Sequence, residues 1–195
     1  IAKPPKNIFS DDLGWLEKVI RKVTGERVDI KTVLADRLTS GYRALRAAHG
    51  TRTNDLSSFY ENGLLVLRLE DIEQRAHQIF VQERGDPTAE DRLQSAITDL
   101  DEHRASGVRI GRLYFCAKES NLIERNGGGH YLIYGSEYLF CLGMRVSSKR
   151  DAKERLKTIG RPTVFICDIP MAMVSPGTIR EFSGIILEYM FLDLI

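Results

Sequence analysis

Cysteine is scarce. Cys116, Cys141 and Cys167 are spread through 195 residues without a C-x-x-C pair, which argues against a disulfide framework or a zinc knuckle and fits a reducing, cytoplasmic setting. An excess of one charge is also missing: 28 Lys plus Arg against 27 Asp plus Glu leave a formal charge of +1. No global field therefore marks the chain for nucleic acid or a membrane surface, although a local basic patch remains compatible with it. No run approaches the ~18 apolar residues of a membrane helix, and the opening IAKPPKNIFSDD has no apolar signal-peptide core. A membrane partner is not expected. The first residue is not methionine and the last ones fall within the apolar run IILEYMFLDLI, so a chain trimmed at one or both termini is expected.

Several catalytic signatures are missing too. There is no G-x-x-x-x-G-K-S/T, no H-E-x-x-H, no G-x-S-x-G, and no G-x-G-x-x-G between a strand and a helix. The run Gly127-Gly128-Gly129 precedes an apolar stretch and reads as a flexible turn. A metal site needs three or four convergent ligands, and His49, His77, His103 and His130 have no such cluster in sequence order. No metal is expected. Cys116 and Cys167 fall in expected strands, where a cysteine usually acts as a small buried hydrophobe rather than a nucleophile.

The length fits one domain, or one domain with a helical appendage. Ser10-Asp11-Asp12 offers a helix N-cap, and Trp15, Leu16, Val19, Ile20 and Val23 then recur at helical spacing as far as Gly25. With a second helix near 29–42, residues 1–42 read as an amphipathic helical cap. A short strand is expected over Leu45–His49, then a small helix over Asp55–Glu61 stopped by a left-handed Gly63. Residues 70–84 and 88–105 carry apolar side chains three and four apart and predict helices, broken at Gly85-Asp86-Pro87. Further on, VRIGRLYFCA predicts a strand, Asn121–Arg125 a turn of helix, and RPTVFICDIPMAMV a strand that Pro170 ends or pushes to an edge. The segments HYLIYGSEYLFCLGMRV and PGTIREFSGIILEYMFLDLI stay open between helix and strand. Helices first and strands later indicate α+β rather than a doubly wound parallel sheet. The run VSSKRDAKERLK alternates in charge and reads as a solvated helix. It is also the segment with which a helical adaptor would dock an acidic partner.

Three separated features remain. His49-Gly50-Thr51 closes a strand, Tyr114 follows Gly111 in a strand, and Glu188 stands in the apolar run IILEYMF. HGT followed by a helix ending ENGL, then GRLYF with a small helix and YGSEYL, then TVFICDIP and a late Glu-Tyr, resembles the ADP-ribosyltransferase fold of the diphtheria-toxin and poly(ADP-ribose) polymerase type. The signature of that family is His, Tyr, Glu in that order. The resemblance spans about residues 43–190 and implies a split mixed or antiparallel sheet with helices for a catalytic domain of residues 43–195, preceded by the helical cap.

The resemblance further implies roles for particular residues. His49 would hydrogen-bond the nicotinamide ribose of NAD, and the Gly50 backbone would hold the carboxamide, with Thr51 beside them. Tyr114 would pack against nicotinamide, and the second stacking aromatic maps to Tyr138, with Tyr134 as competitor. Ser136 stands near the family serine at a different spacing. Arg52 is placed to pair with a pyrophosphate. Glu188 would be the catalytic acid, or Glu181 or Glu137 if the late Glu-Tyr lies on a helix.

The implied activity is NAD-dependent mono-ADP-ribosyl transfer, a glycosyltransferase reaction, to a macromolecular acceptor that is either protein or nucleic acid. Compact members of this kind act as toxins or defence effectors, and an antitoxin or inhibitor protein is a possible partner. Breaking the bond from ribose to cationic nicotinamide builds an oxocarbenium-like centre, which a carboxylate stabilises while the dinucleotide is held bent. Aromatic faces suit the flat, charged ring. The alternative is a catalytically inactive module of the same fold that binds protein or nucleic acid. Residues 51–58 and 171–180 are the loops expected to select the acceptor.

Overall fold

The computed structural model describes residues 14–66, 68–82, 85–102, 111–123 and 129–192. The expected cap at Ser10-Asp11-Asp12, His103, the strand start at 108–110, and Gly127 and Gly128 lie outside the described residues. Two compact units are formed: one combines residues up to Arg46 with those from Asp168 onward, and the other is continuous from Ala47 to Cys167. The expected N-terminal cap helices thus share a unit with the tail.

In the first unit, α1 spans Gly14–Thr24, α2 spans Ile30–Gly41, and α10 spans Pro176–Leu192 after a 3₁₀ turn at Met171–Met173. The open tail is therefore a helix. Asp29 caps α2, its carboxylate accepting from the Thr32 backbone N–H at 3.1 Å and the Thr32 hydroxyl at 2.9 Å. From α10, Arg180 donates to the same carboxylate at 2.7 Å. That guanidinium, helped by the Thr32 amide, lowers the Asp29 pKa to about 2. α10 packs on α2, and the close approach falls at Gly184, where an added Cβ would lie 3.1 Å from Lys31 Cε. Ser183 is fully buried and returns its hydroxyl to the Ile179 carbonyl at 2.8 Å.

The second unit is mainly helical. Its elements are α3 (Ser57–Asn62), α4 (Leu69–His77), a π-helical turn over Gln78–Gln82, α5 (Ala89–Glu102), α6 (Ser120–Ile123), α7 (Gly129–Tyr134), α8 (Glu137–Val146) and α9 (Lys149–Thr158). The core gathers Ile72, Ala76 and Phe80 with Leu93 and Ala96, Leu139, Leu142 and Val146, and Ala152 and Leu156. Each set recurs three or four residues apart, as a helix with one buried face requires. For α8 this settles the choice between helix and strand. The ring of Phe80 lies on Gly143, where any Cβ would overlap it, so α8 comes closest to the π turn at this glycine. At the start of α5, Asp86 accepts from the Thr88 amide at 3.0 Å and pairs with Arg92. Arg92, seconded by Thr88, lowers the Asp86 pKa to about 2.

The sheet has two strands, β1 (Ala44–Thr53) and β2 (Arg161–Pro170), which run antiparallel. Each strand crosses from one unit into the other. At the first unit's end of the ribbon, Arg46 clasps Asp168 with two hydrogen bonds of 2.8 and 2.9 Å.

Three local expectations change. β1 runs to Thr53 rather than ending at His49, because pairing with the ten residues of β2 outweighs the poor strand propensity of its alanines and glycine. The expected strand around Tyr114 is reduced to an isolated bridge, Ala48 with Cys116, the two exchanging hydrogen bonds of 2.8 Å. The helix expected over 70–84 loses its α geometry after His77 and continues as the π turn. The architecture is α+β.

Candidate functional site

His49 lies in the interior of β1, half-buried, with its ring centroid 5.6 Å from that of Phe115. Its Nδ1 is 2.9 Å from the main-chain oxygen of Tyr114. A carbonyl only accepts, so Nδ1 carries the proton, and in the neutral imidazole Nε2 is left as a bare acceptor. The Ala48–Cys116 bridge sits beside this contact and fixes the Tyr114 segment along β1. Tyr114 keeps 41% of its surface exposed. The His and Tyr segments are therefore neighbours. Phe115 is the addition that the sequence did not single out, although it is the chain neighbour of Tyr114.

Gly50 is buried, and an added Cβ would meet Leu122 Cδ2 at 3.0 Å and Leu132 Cδ2 at 3.3 Å. Its missing side chain lets α6 and α7 close on β1. Thr51 follows in the strand, half-buried.

Arg52 ties the carbonyls at the C-terminal end of α9 to one carbonyl of α7. Its Nε donates to Ile159 at 2.9 Å, Nη1 to Leu132 at 2.8 Å, and Nη2 to Lys157 at 2.5 Å and Gly160 at 2.9 Å. A cation at a helix C-terminus satisfies orphan carbonyls and complements the dipole. Gly160 has a φ of +66°, and an added Cβ would stand 2.8 Å from the Thr53 amide nitrogen. This turn accepts only glycine. Four of the five guanidinium N–H groups are thus committed within the protein.

Ser136 caps α8, accepting from the Leu139 amide at 3.3 Å. Tyr138 is 6% exposed, with its ring in the helical core. Its competitor Tyr134 is half-buried and stacks on Phe140 at 4.5 Å. Of the three acid candidates, Glu137 opens α8 in the same unit as His49 and Tyr114, and its carboxylate is 3.5 Å from His130 Nε2. Glu181 and Glu188 both lie on α10, in the other unit.

Asp55 heads α3 and accepts from the Ser57 hydroxyl and amide. The hydroxyl is the main reason its carboxyl is held below the usual range. Among the described residues no group of three or more His, Cys, Asp or Glu could hold a metal ion. No helix among them is long and apolar enough to cross a membrane.

No protein-family model, no curated protein and no solved structure matches this chain.

Proposed function

We propose that the chain is an NAD-dependent mono-ADP-ribosyltransferase, of the toxin or defence-effector kind, acting on a protein or nucleic-acid acceptor and open to restraint by an inhibitor protein. One observation carries this reading: His49 and Tyr114, two members of a His-Tyr-Glu pattern, meet through a 2.9 Å hydrogen bond across 65 positions of sequence. With Nδ1 held by the carbonyl, Nε2 of His49 is an acceptor suited to a ribose hydroxyl. The exposed Tyr114 ring is an aromatic surface suited to a flat cationic nicotinamide. Water or the acceptor nucleophile would attack the ribose carbon as the bond to nicotinamide breaks, and a carboxylate would stabilise the developing charge.

The acid is the open member, and three substitutions test it. Incubation with labelled NAD and a cell lysate, split between protease and nuclease digestion, is expected to show transferred label and released nicotinamide. One of Glu137→Gln, Glu181→Gln and Glu188→Gln should abolish both. No label and no nicotinamide from the unsubstituted protein would overturn the enzyme reading.

The helical setting of Glu188 favours a second reading, an inactive module of that fold that binds protein or nucleic acid. In that case NAD is not cleaved and all three glutamine variants behave alike.

A further inference from the structure

The charge alternation of α9 is only apparent. Asp151 is paired with Arg155 at 3.3 Å, and Glu154 with Lys157 at 3.2 Å. Ala152 and Leu156 are buried, which turns Lys149, Lys153 and Lys157, each four residues apart, onto a face bordering that contact, with Arg150 beside them. Four residues of helix advance about 6 Å, so the three lysines form a row. Lys149, Arg150 and Lys157 are exposed, and no ion pair engages Lys149 or Arg150 among the described residues. Both occupy the first turn of α9, where the helix dipole disfavours cations.

Lys153 adds a second kind of surface. Its ammonium lies 5.9 Å from the Tyr134 ring centroid and 6.0 Å from that of Phe140, and the two rings stack with an 11° interplanar angle. Both rings are half-buried. A row of cations beside an aromatic pair is the combination that suits a phosphate backbone carrying unstacked bases. An acidic peptide would use the cations alone.

We propose that this face of α9 binds single-stranded nucleic acid, with Lys149 and Arg150 on its phosphates, Lys157 exchanging its surface pair with Glu154 for a third phosphate, and the Tyr134–Phe140 pair beside Lys153 meeting a base. The site needs no global charge excess, in keeping with a formal net charge of +1. It stands independently of NAD cleavage.

The test is fluorescence anisotropy of the whole protein with a labelled 20-nucleotide poly-dT, without NAD, over a salt series. Binding is expected to weaken as salt rises. K149A/R150A/K157A should lose at least about tenfold in affinity, and its log–log salt slope should flatten by about 2, as expected for three lost single-strand phosphate contacts. The control K18A/R21A/K22A on α1 should change affinity less than about twofold, and Phe140→Leu should weaken binding without altering the salt slope. Far-UV circular dichroism verifies that the variants fold. Three outcomes overturn the proposal: no binding at low salt, equal losses in the α9 and α1 variants, or equal affinity for a poly-glutamate of matched charge.

Discussion

The imidazole Nδ1 of His49 and the main-chain oxygen of Tyr114 stand 2.9 Å apart, so the ring orientation of a β1 side chain is set by backbone from a distant segment. Side-chain replacements at Tyr114 leave that hydrogen bond in place, whereas replacements at His49 remove it. Nitrogen-15 NMR of the neutral ring is expected to show the proton on Nδ1 and a bare Nε2. Tyr114→Ala should preserve this tautomer. His49→Ala should reduce nicotinamide release at least about a hundredfold if that nitrogen meets substrate, with little change in the circular dichroism spectrum.

Arg52 separates two roles cleanly. Its donors serve four main-chain carbonyls, three of them at part-buried contacts, so Arg52→Met should lower unfolding free energy by about 2 kcal/mol, the scale of a few partly shielded hydrogen bonds lost. Arg52→Lys should recover only part, since an ammonium cannot reproduce the planar fork. Urea denaturation measures the first effect, and NAD affinity measures the pyrophosphate role. Unchanged stability with weakened NAD binding would reverse the assignment.

Gly143 has the least room for a side chain of the described glycines, with the Phe80 ring filling the space of a Cβ. Gly143→Ala is expected to cost about 3 kcal/mol through overpacking. Combined with Phe80→Leu, the total should be less than the sum of the two single losses, because the smaller side chain makes room. Chemical denaturation of the four proteins gives the cycle directly.

Asp29 predicts an acid limb. Its folded pKa of about 2 lies below the ordinary 3.8, so the unfolded chain takes up the proton first as pH falls. The stabilisation from the pair with Arg180 is complete above 3.8 and is lost as pH drops toward 2. Unfolding midpoints of the native protein and Asp29→Asn should therefore differ at pH 6 and converge near pH 2. A difference that persists at the acid end would show that the carboxylate charge is not the cause.

Much of this architecture is legible in the amino-acid sequence where one periodicity dominates. β2 alternates through Thr163, Phe165 and Cys167 and stops at Pro170, and α5 carries Ala89, Leu93 and Ala96 on one buried side. α8 is illegible because EYLFCLGMRV is apolar in nearly every direction, so its buried stripe appears only once Phe80 and its neighbours are in place. β1 is under-read for the opposite reason: alanine, arginine and glycine give little local instruction, and β2 supplies the pairing. At the site, the His49 ring meets the main chain of Tyr114, 65 positions away. The Arg52 carbonyl partners, 80 to 108 positions away, leave no trace in local sequence, because any residue can present a carbonyl.

The crossing of β1 and β2 between the two units also bears on how the molecule is made. Ala47–Cys167 is one uninterrupted stretch, so it can complete its own packing while synthesis is still under way. The other unit cannot, because α2 must wait for its partner α10 until that whole stretch has been translated. During that interval Asp29 lacks Arg180 and α2 has its packing face uncovered, which makes α2 a point of vulnerability in the nascent chain.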